Sequence, residues 1–205
     1  MTFLVFASLF ALAAAINIAS RKSAKKVAQD NMTFWEKERQ ANFTRKKSIE
    51  DLEYLSIPFE EFPMDAGKDD EALAGYLKEL EELKGAKIVN LTGFTNTDLK
   101  LAYGTANITP LSEYDQNYTL MVRLLQDIAE ALYEKGMEDE ALTVAEYAIK
   151  TRTDISKTYY LAAEIYLARN DMKKMDHLIF VADTLQSAMK PAILRKLQEM
   201  RDSAL

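Results

Sequence analysis

An internal echo at an offset of 34 residues constrains this chain more than any other feature of its sequence. From Asn117 onward the pattern reads helix, glycine, helix. Shifting the sequence by 34 pairs Ala129-Glu130 with Ala163-Glu164, Leu132 with Tyr166, Gly136 with Asn170 and Ala148 with Ala182. Small residues recur where two helices must approach closely, and large ones where they interlock. Glycine and asparagine are the residues that most readily take a left-handed backbone, so both units predict the same turn. The stretch "YEKGMEDEALTVAEYA" (133–148) is then the turn and second helix of one hairpin, and "YLARNDMKKMDHLIFVA" (166–182) repeats it.

This pattern resembles the tetratricopeptide repeat, whose period is 34. The family's small residue of the first helix falls on Ala129 and Ala163, and the large residue after it on Leu132 and Tyr166. Its second-helix small residues fall on Ala141 and Ala148, then on Met175 and Ala182. Departures are also visible: Leu125 replaces the early aromatic that Tyr159 restores, and Ala145 and Ile179 stand at the second-helix aromatic. Thr153 replaces the terminal proline, and Met175 is expected to widen its hairpin. Pro191 suits the first turn of a closing helix that caps the array. The whole chain also resembles a group of bacterial proteins with one N-terminal anchor and such a C-terminal region.

The resemblance implies a partner-binding face on the first helices. In the family register it carries Arg123, Gln126, Glu130 and Tyr133, then Lys157, Tyr160, Glu164 and Leu167. The Lys and Asn pattern that clamps a partner's terminal carboxylate is absent, since those places hold Gln126, Glu130, Tyr160 and Glu164. A protein or peptide ligand of some basic character, or self-association, is the expectation. Two units are fewer than a free-standing solenoid needs, so the helix at 70–84 or that near 96–103 is expected to compete for the groove.

At the other end, residues 1–20 carry no charged side chain, and four of the next six are basic. Twenty helical residues span roughly 30 Å, the thickness of a bilayer's hydrocarbon. The cations Arg21, Lys22, Lys25 and Lys26 follow the apolar run, whereas a cleaved leader would carry cations before it. The positive-inside rule then places the body in the cytoplasm, held by a single-pass anchor in the cell membrane, with those four cations at the lipid headgroups. A cleaved leader ending near "AAA" (13–15) and an exported body form the rival expectation. From Arg21 to Lys47 nine Lys/Arg face three Asp/Glu; with −6 overall, residues 48–205 carry −12. So acidic a body argues against nucleic acid as a partner.

These features divide the chain into an anchor (1–20), a basic juxtamembrane helical segment (21–48), a mixed helix and loop region packing on the repeat (49–117), and hairpins with a capping helix (118–205). The fold class expected is mainly α: a transmembrane helix, then a helical domain ending in the repeat. Thr33 with Glu36 predicts a helix from Phe34, and Trp35 is expected to pack on the body, with the membrane interface as its rival position. Leu73, Tyr76, Leu77, Leu80 and Leu83 form one helical face closed by Gly85. "KIVNL" (87–91) reads as a short strand or a buried connector. Thr95 with Asp98, and Ser112 with Asp115, predict two further helix starts. Five Asn-x-Thr triplets begin at Asn31, Asn42, Asn90, Asn107 and Asn117, and are expected to act as turn and cap residues, not sugar acceptors.

The chemistry of the side chains narrows the function. No cysteine and a single histidine, His177, exclude disulfides, a thiol nucleophile and any multi-histidine metal site within one chain. Asp98, Lys100 and Tyr103 lack a nucleophile or phosphate-binding partner, so capping and solvation are expected of them. The function expected is therefore a non-catalytic interaction module without a cofactor; an enzyme acting through surface carboxylates is the remote alternative.

Overall fold

The computed structural model describes residues 31–204, and these are helical with turns and connectors and contain no strand. The candidate anchor and the cations Arg21, Lys22, Lys25 and Lys26 lie outside the described residues. Among those described, no helix is long and apolar enough to cross a membrane. The chain separates into two compact units, which comprise, of the described residues, 31–48 with 95–108 and 49–94 with 109–204.

The first unit joins a helix over residues 31–42 (α1) to α3 (Asn96–Tyr103) and a short 3-10 turn, Thr105–Asn107. Thr95 closes a capping box on Asp98, as its spacing predicts. Residues 31–33 are already helical, so Thr33 lies inside α1 and does not start it. Hydrogen bonds tie the unit together. Glu38 accepts from Thr97 and Lys100, and the Lys47 amide donates to the Tyr103 carbonyl at 3.0 Å. The Asn107 amide, 1 % exposed, donates to the Lys47 and Tyr103 carbonyls at 2.8 and 2.7 Å. Trp35, expected to be a packing residue, is 65 % exposed.

The second unit carries the repeat. In chain order its helices are α2 (Glu71–Glu82), α4 (Ile108–Glu134, all but its first residue), α5 (Glu138–Lys150), α6 (Ser156–Ala168), α7 (Met172–Asp183) and α8 (Lys190–Asp202). α4 is continuous through Ser112 and Asp115, so that pair caps nothing, and the boundary expected at 117/118 falls inside a helix. Asp115 instead accepts the Leu91 amide at 3.3 Å. That bond helps hold residues 87–91 as a buried connector, with Ile88 and Val89 in the interior and the Val89 amide on the Tyr114 carbonyl.

The echo of 34 is reproduced atom for atom at the two hairpin turns. Gly136 and Asn170 have φ of 75° and 55°. The Met137 amide donates to the Leu132 carbonyl at 3.0 Å, and the Asp171 amide to the Tyr166 carbonyl at 2.8 Å. This is the six-to-one bond of a helix that ends on a left-handed residue. Ala129, Ala163, Ala148 and Ala182 are all fully buried, which lets the helices of each hairpin close on one another.

Two apolar clusters result. The first joins Leu73, Leu77 and Leu80 of α2 to α4, α5 and the inner side of α6. The second gathers Tyr159, Tyr166, Met175 and Leu178 under Ile193 and Leu197 of α8, which packs on both α6 and α7. Met175, expected to wedge its hairpin, is fully buried in that cluster. Pro191 lies in the first turn of α8, as anticipated.

Of the asparagines in Asn-x-Thr triplets, Asn90 forms the local turn expected, whereas Asn117 lies inside α4 and bonds a distant segment. Asn90 donates to the Tyr118 hydroxyl at 2.9 Å and the Thr151 carbonyl at 3.0 Å, while its own oxygen takes the Thr92 amide. Asn117 donates to the Lys87 carbonyl at 3.0 Å, and Asn42 accepts from Lys100 at 2.9 Å.

Candidate functional site

The first-helix face is only partly assembled in the way its register implies. Gln126 is buried; its oxygen accepts the Thr158 hydroxyl at 2.7 Å and its amide donates to Glu130 at 3.2 Å. Glu130 in turn receives the Lys157 ammonium at 3.1 Å on both oxygens. Gln126, Glu130 and Lys157 therefore come together with Thr158, a residue the register did not mark, as a seam between α4 and α6. The Lys157 ammonium, followed by burial acting in opposition, leaves the Glu130 carboxyl below its ordinary value.

The remaining face residues disperse. Arg123 reaches Glu79 of α2 at 3.4 Å, and Lys135 reaches Asp70 at 3.1 Å. The start of α2 thus lies beside the end of α4, and α2 runs antiparallel along its flank. Tyr133 is half-buried on the first cluster, Tyr160 and Leu167 are half-buried on the second, and Glu164 is exposed.

A larger recess lies on the other side, along the second helices. A cavity of about 570 Å3 is lined by Glu146, Tyr147, Ile149 and Lys150 of α5, by Tyr166 of α6, and by Lys174, His177, Leu178 and Val181 of α7. Lys150, Arg152 and Thr184 also line a second cavity of about 320 Å3, shared with Asn90, Thr92 and Phe94. The larger cavity mixes the aromatic and aliphatic side chains of Tyr147, Tyr166, Ile149, Leu178 and Val181 with the charged Glu61, Glu146, Lys150, Arg152 and Lys174.

Glu146, Tyr166 and Lys174 are already engaged with one another, and two cations of the lining are not. Glu146 accepts the Tyr166 hydroxyl at 2.6 Å and the Lys174 ammonium at 2.9 Å. Lys150 and Arg152 have no hydrogen-bond or ion-pair partner for their side chains within the described residues. Arg152 also holds φ at 63°, a left-handed conformation that costs a side-chain-bearing residue roughly 1 kcal/mol. Its backbone ends α5 in the manner of Gly136, with the Thr153 amide on the Ala148 carbonyl at 3.2 Å. Sequence reasoning overlooked this recess because it followed the family's first helices, while Glu146 and Lys174 lie on the second helices 28 positions apart.

Burial works against ionisation of Glu146, but the Tyr166 hydroxyl and Lys174 ammonium outweigh it and hold the carboxyl below its ordinary value. Burial drives the Tyr166 phenol well upward, and raises that of Tyr147 to about 12, so both stay neutral donors. A lowered carboxyl stabilises the fold fully above its unfolded value, and that contribution disappears as pH falls through the folded one. Acid unfolding followed by circular dichroism should therefore begin at higher pH in wild type than in Glu146→Gln relative to each protein's neutral stability, with the difference confined below about pH 4.5.

Set against protein-family models, curated proteins and solved structures, the chain matches none.

Proposed function

We propose that this chain is a membrane-tethered, non-catalytic interaction module whose tetratricopeptide-like hairpins receive an acidic segment of a protein partner in the α5–α7 recess. The observation that carries the reading is a pair of cations, Lys150 and Arg152, that have no side-chain partner among the described residues and line a cavity of about 570 Å3 with aromatic and aliphatic walls between its polar groups. Such a volume suits one or two large side chains, and the cations would fix an adjacent carboxylate. The tether rests on the uncharged run 1–20 and the cations after it. Of the two carboxylates that line the recess, Glu61 and Glu146, the latter is held below its ordinary value by Tyr166 and Lys174 against burial, which is unsuited to a general acid.

A test uses the full chain in lipid nanodiscs and a fluorescein-labelled peptide of alternating Glu and Leu, read by anisotropy. Binding should weaken about tenfold or more in the Lys150→Glu/Arg152→Glu variant. It should be unchanged in Tyr133→Ala/Tyr160→Ala. Dependence on the tyrosines alone would move the seat to the first-helix face, and preference for the Lys-Leu counterpart of the peptide would overturn the acidic ligand.

A further inference from the structure

Helix α1 presents an apolar stripe that no described residue of its unit covers. Met32, Trp35 and Phe43 are 72, 65 and 83 % exposed. At 100° per residue they fall with Arg39 on one side of the helix, Phe43 just beyond its last turn. Other positions are committed within the unit: Glu38, beside the stripe, is bonded to Thr97 and Lys100, and the buried Ala41, on the far side, accepts the Thr105 hydroxyl on its carbonyl at 3.3 Å. The rotation of α1 is therefore set by its partners in the first unit, and the stripe faces outward because of them. Phe34, 53 % exposed, meets the Trp35 ring edge-on at 5.5 Å and holds it in place.

The chemistry of this surface selects among occupants. Three side chains at these exposures offer roughly 450 Å2, well short of the roughly 800 Å2 per partner that a stable dimer buries. A protein interface core is also depleted of charge. Here the apolar side chains surround Arg39, Glu36 lies at one edge, and Arg45 and Lys46 follow just past the helix, all exposed. Tryptophan amid arginine and lysine is the composition that settles at the boundary between headgroups and acyl chains. The sequence before residue 31 adds Arg21, Lys22, Lys25 and Lys26, and the local balance of +6 from Arg21 to Lys47 favours anionic lipid.

We infer that the Met32–Trp35–Phe43 stripe of α1 is a docking surface for an anionic bilayer interface, holding the first unit flat against the membrane. This rests on the tether reading only in that it needs a bilayer nearby. The cations draw the helix to the surface, and the aromatic rings enter the boundary region to a shallow depth. Trp35 is the only tryptophan of the chain, so it reports on its own docking.

The experiment reconstitutes the full chain in nanodiscs of phosphatidylcholine with phosphatidylglycerol, some of the lipid brominated near the headgroup end of the acyl chain. Trp35 emission should shift to the blue and be quenched by the bromines. Quenching should fall about twofold or more in Arg39→Glu and in pure phosphatidylcholine. The Trp35→Phe/Phe43→Trp variant, which moves the reporter along the stripe, should be quenched as well. A chain that co-elutes with nanodiscs while Trp35 stays open to aqueous iodide and blind to bromine would overturn the stripe and leave the tether standing. A blue shift that grows with protein concentration in lipid-free detergent would assign the stripe to a second copy and overturn it too. A chain that fails to enter nanodiscs, with no quenching when such vesicles are added, overturns both.

Discussion

Replacing Gly104 with alanine is expected to destabilise the first unit by about 3 kcal/mol, enough to open it locally. Gly104 closes α3 at φ 87° and ψ 152°, a region of backbone space that residues with a Cβ essentially never occupy. Space is the second obstacle. A Cβ built there would lie 2.3 Å from the Arg45 carbonyl oxygen and 2.8 Å from the Lys46 Cα, both backbone atoms that cannot swing aside. Relief requires moving residues 45–47 away from α3, which breaks the Lys47 amide bond to Tyr103 and the Asn107 bond to Lys47. Hydrogen exchange read by mass spectrometry should show the Lys47 amide losing protection in Gly104→Ala, with amides of α4–α8 unaffected. Gly136→Ala supplies the control: its φ is 75°, but nothing lies within 4 Å of the added carbon. It should cost only about 1 kcal/mol. Equal effects from the two substitutions would remove the steric account.

Tyr159→Ala is expected to cost the second unit about 4 kcal/mol, the upper range for emptying a buried aromatic site. Its ring is fully buried in the second cluster, and its hydroxyl donates to the Thr153 carbonyl at 2.9 Å. Burial, reinforced by the Asp154 charge, raises the phenol well above its ordinary value, so it remains a donor at any ordinary pH. Thr153 meanwhile accepts the Ile155 amide on its own hydroxyl at 3.2 Å. A threonine where the repeat family has proline thus holds the α5–α6 turn through side-chain bonds in place of a locked ring. Tyr159→Phe removes only the hydroxyl and should cost about 1 kcal/mol. Urea unfolding of both variants measures the ratio. A Tyr159→Ala loss no larger than that of the phenylalanine variant would mean the second cluster is not packed around this ring.

What was legible beforehand came from residues whose partners lie within one helical turn. The Thr95–Asp98 box, the leucine face of α2 with Gly85 beyond it, Pro191 at the start of α8 and the twin turns at Gly136 and Asn170 were all read correctly. Each depends on spacing of five residues or fewer, where backbone geometry alone dictates the contact. Ser112 and Asp115 have the same spacing yet cap nothing, because α4 begins at Ile108 and Asp115 serves the Leu91 amide, 24 positions away. Trp35 failed for the opposite reason. A large aromatic predicts burial, but the rotation of α1 is set by Glu38 and its bonds to Thr97 and Lys100, and that rotation turns the indole outward.

The same division runs through the candidate sites. Local chemistry and the 34-residue period were sufficient for the helical class and the two-hairpin order, since periodicity and turn residues act over short stretches of chain. Which helix faces are free was decided only by tertiary packing. The Gln126–Thr158 and Glu130–Lys157 bonds join α4 to α6 across about thirty positions and close the seam that the register had marked for a partner. The α5–α7 recess, which Lys150 and Arg152 help to line, takes Tyr147 from the first hairpin and Tyr166 and Leu178 from the second, so neither hairpin alone makes its wall. A cavity belongs to the space between elements, and no single stretch of sequence contains it.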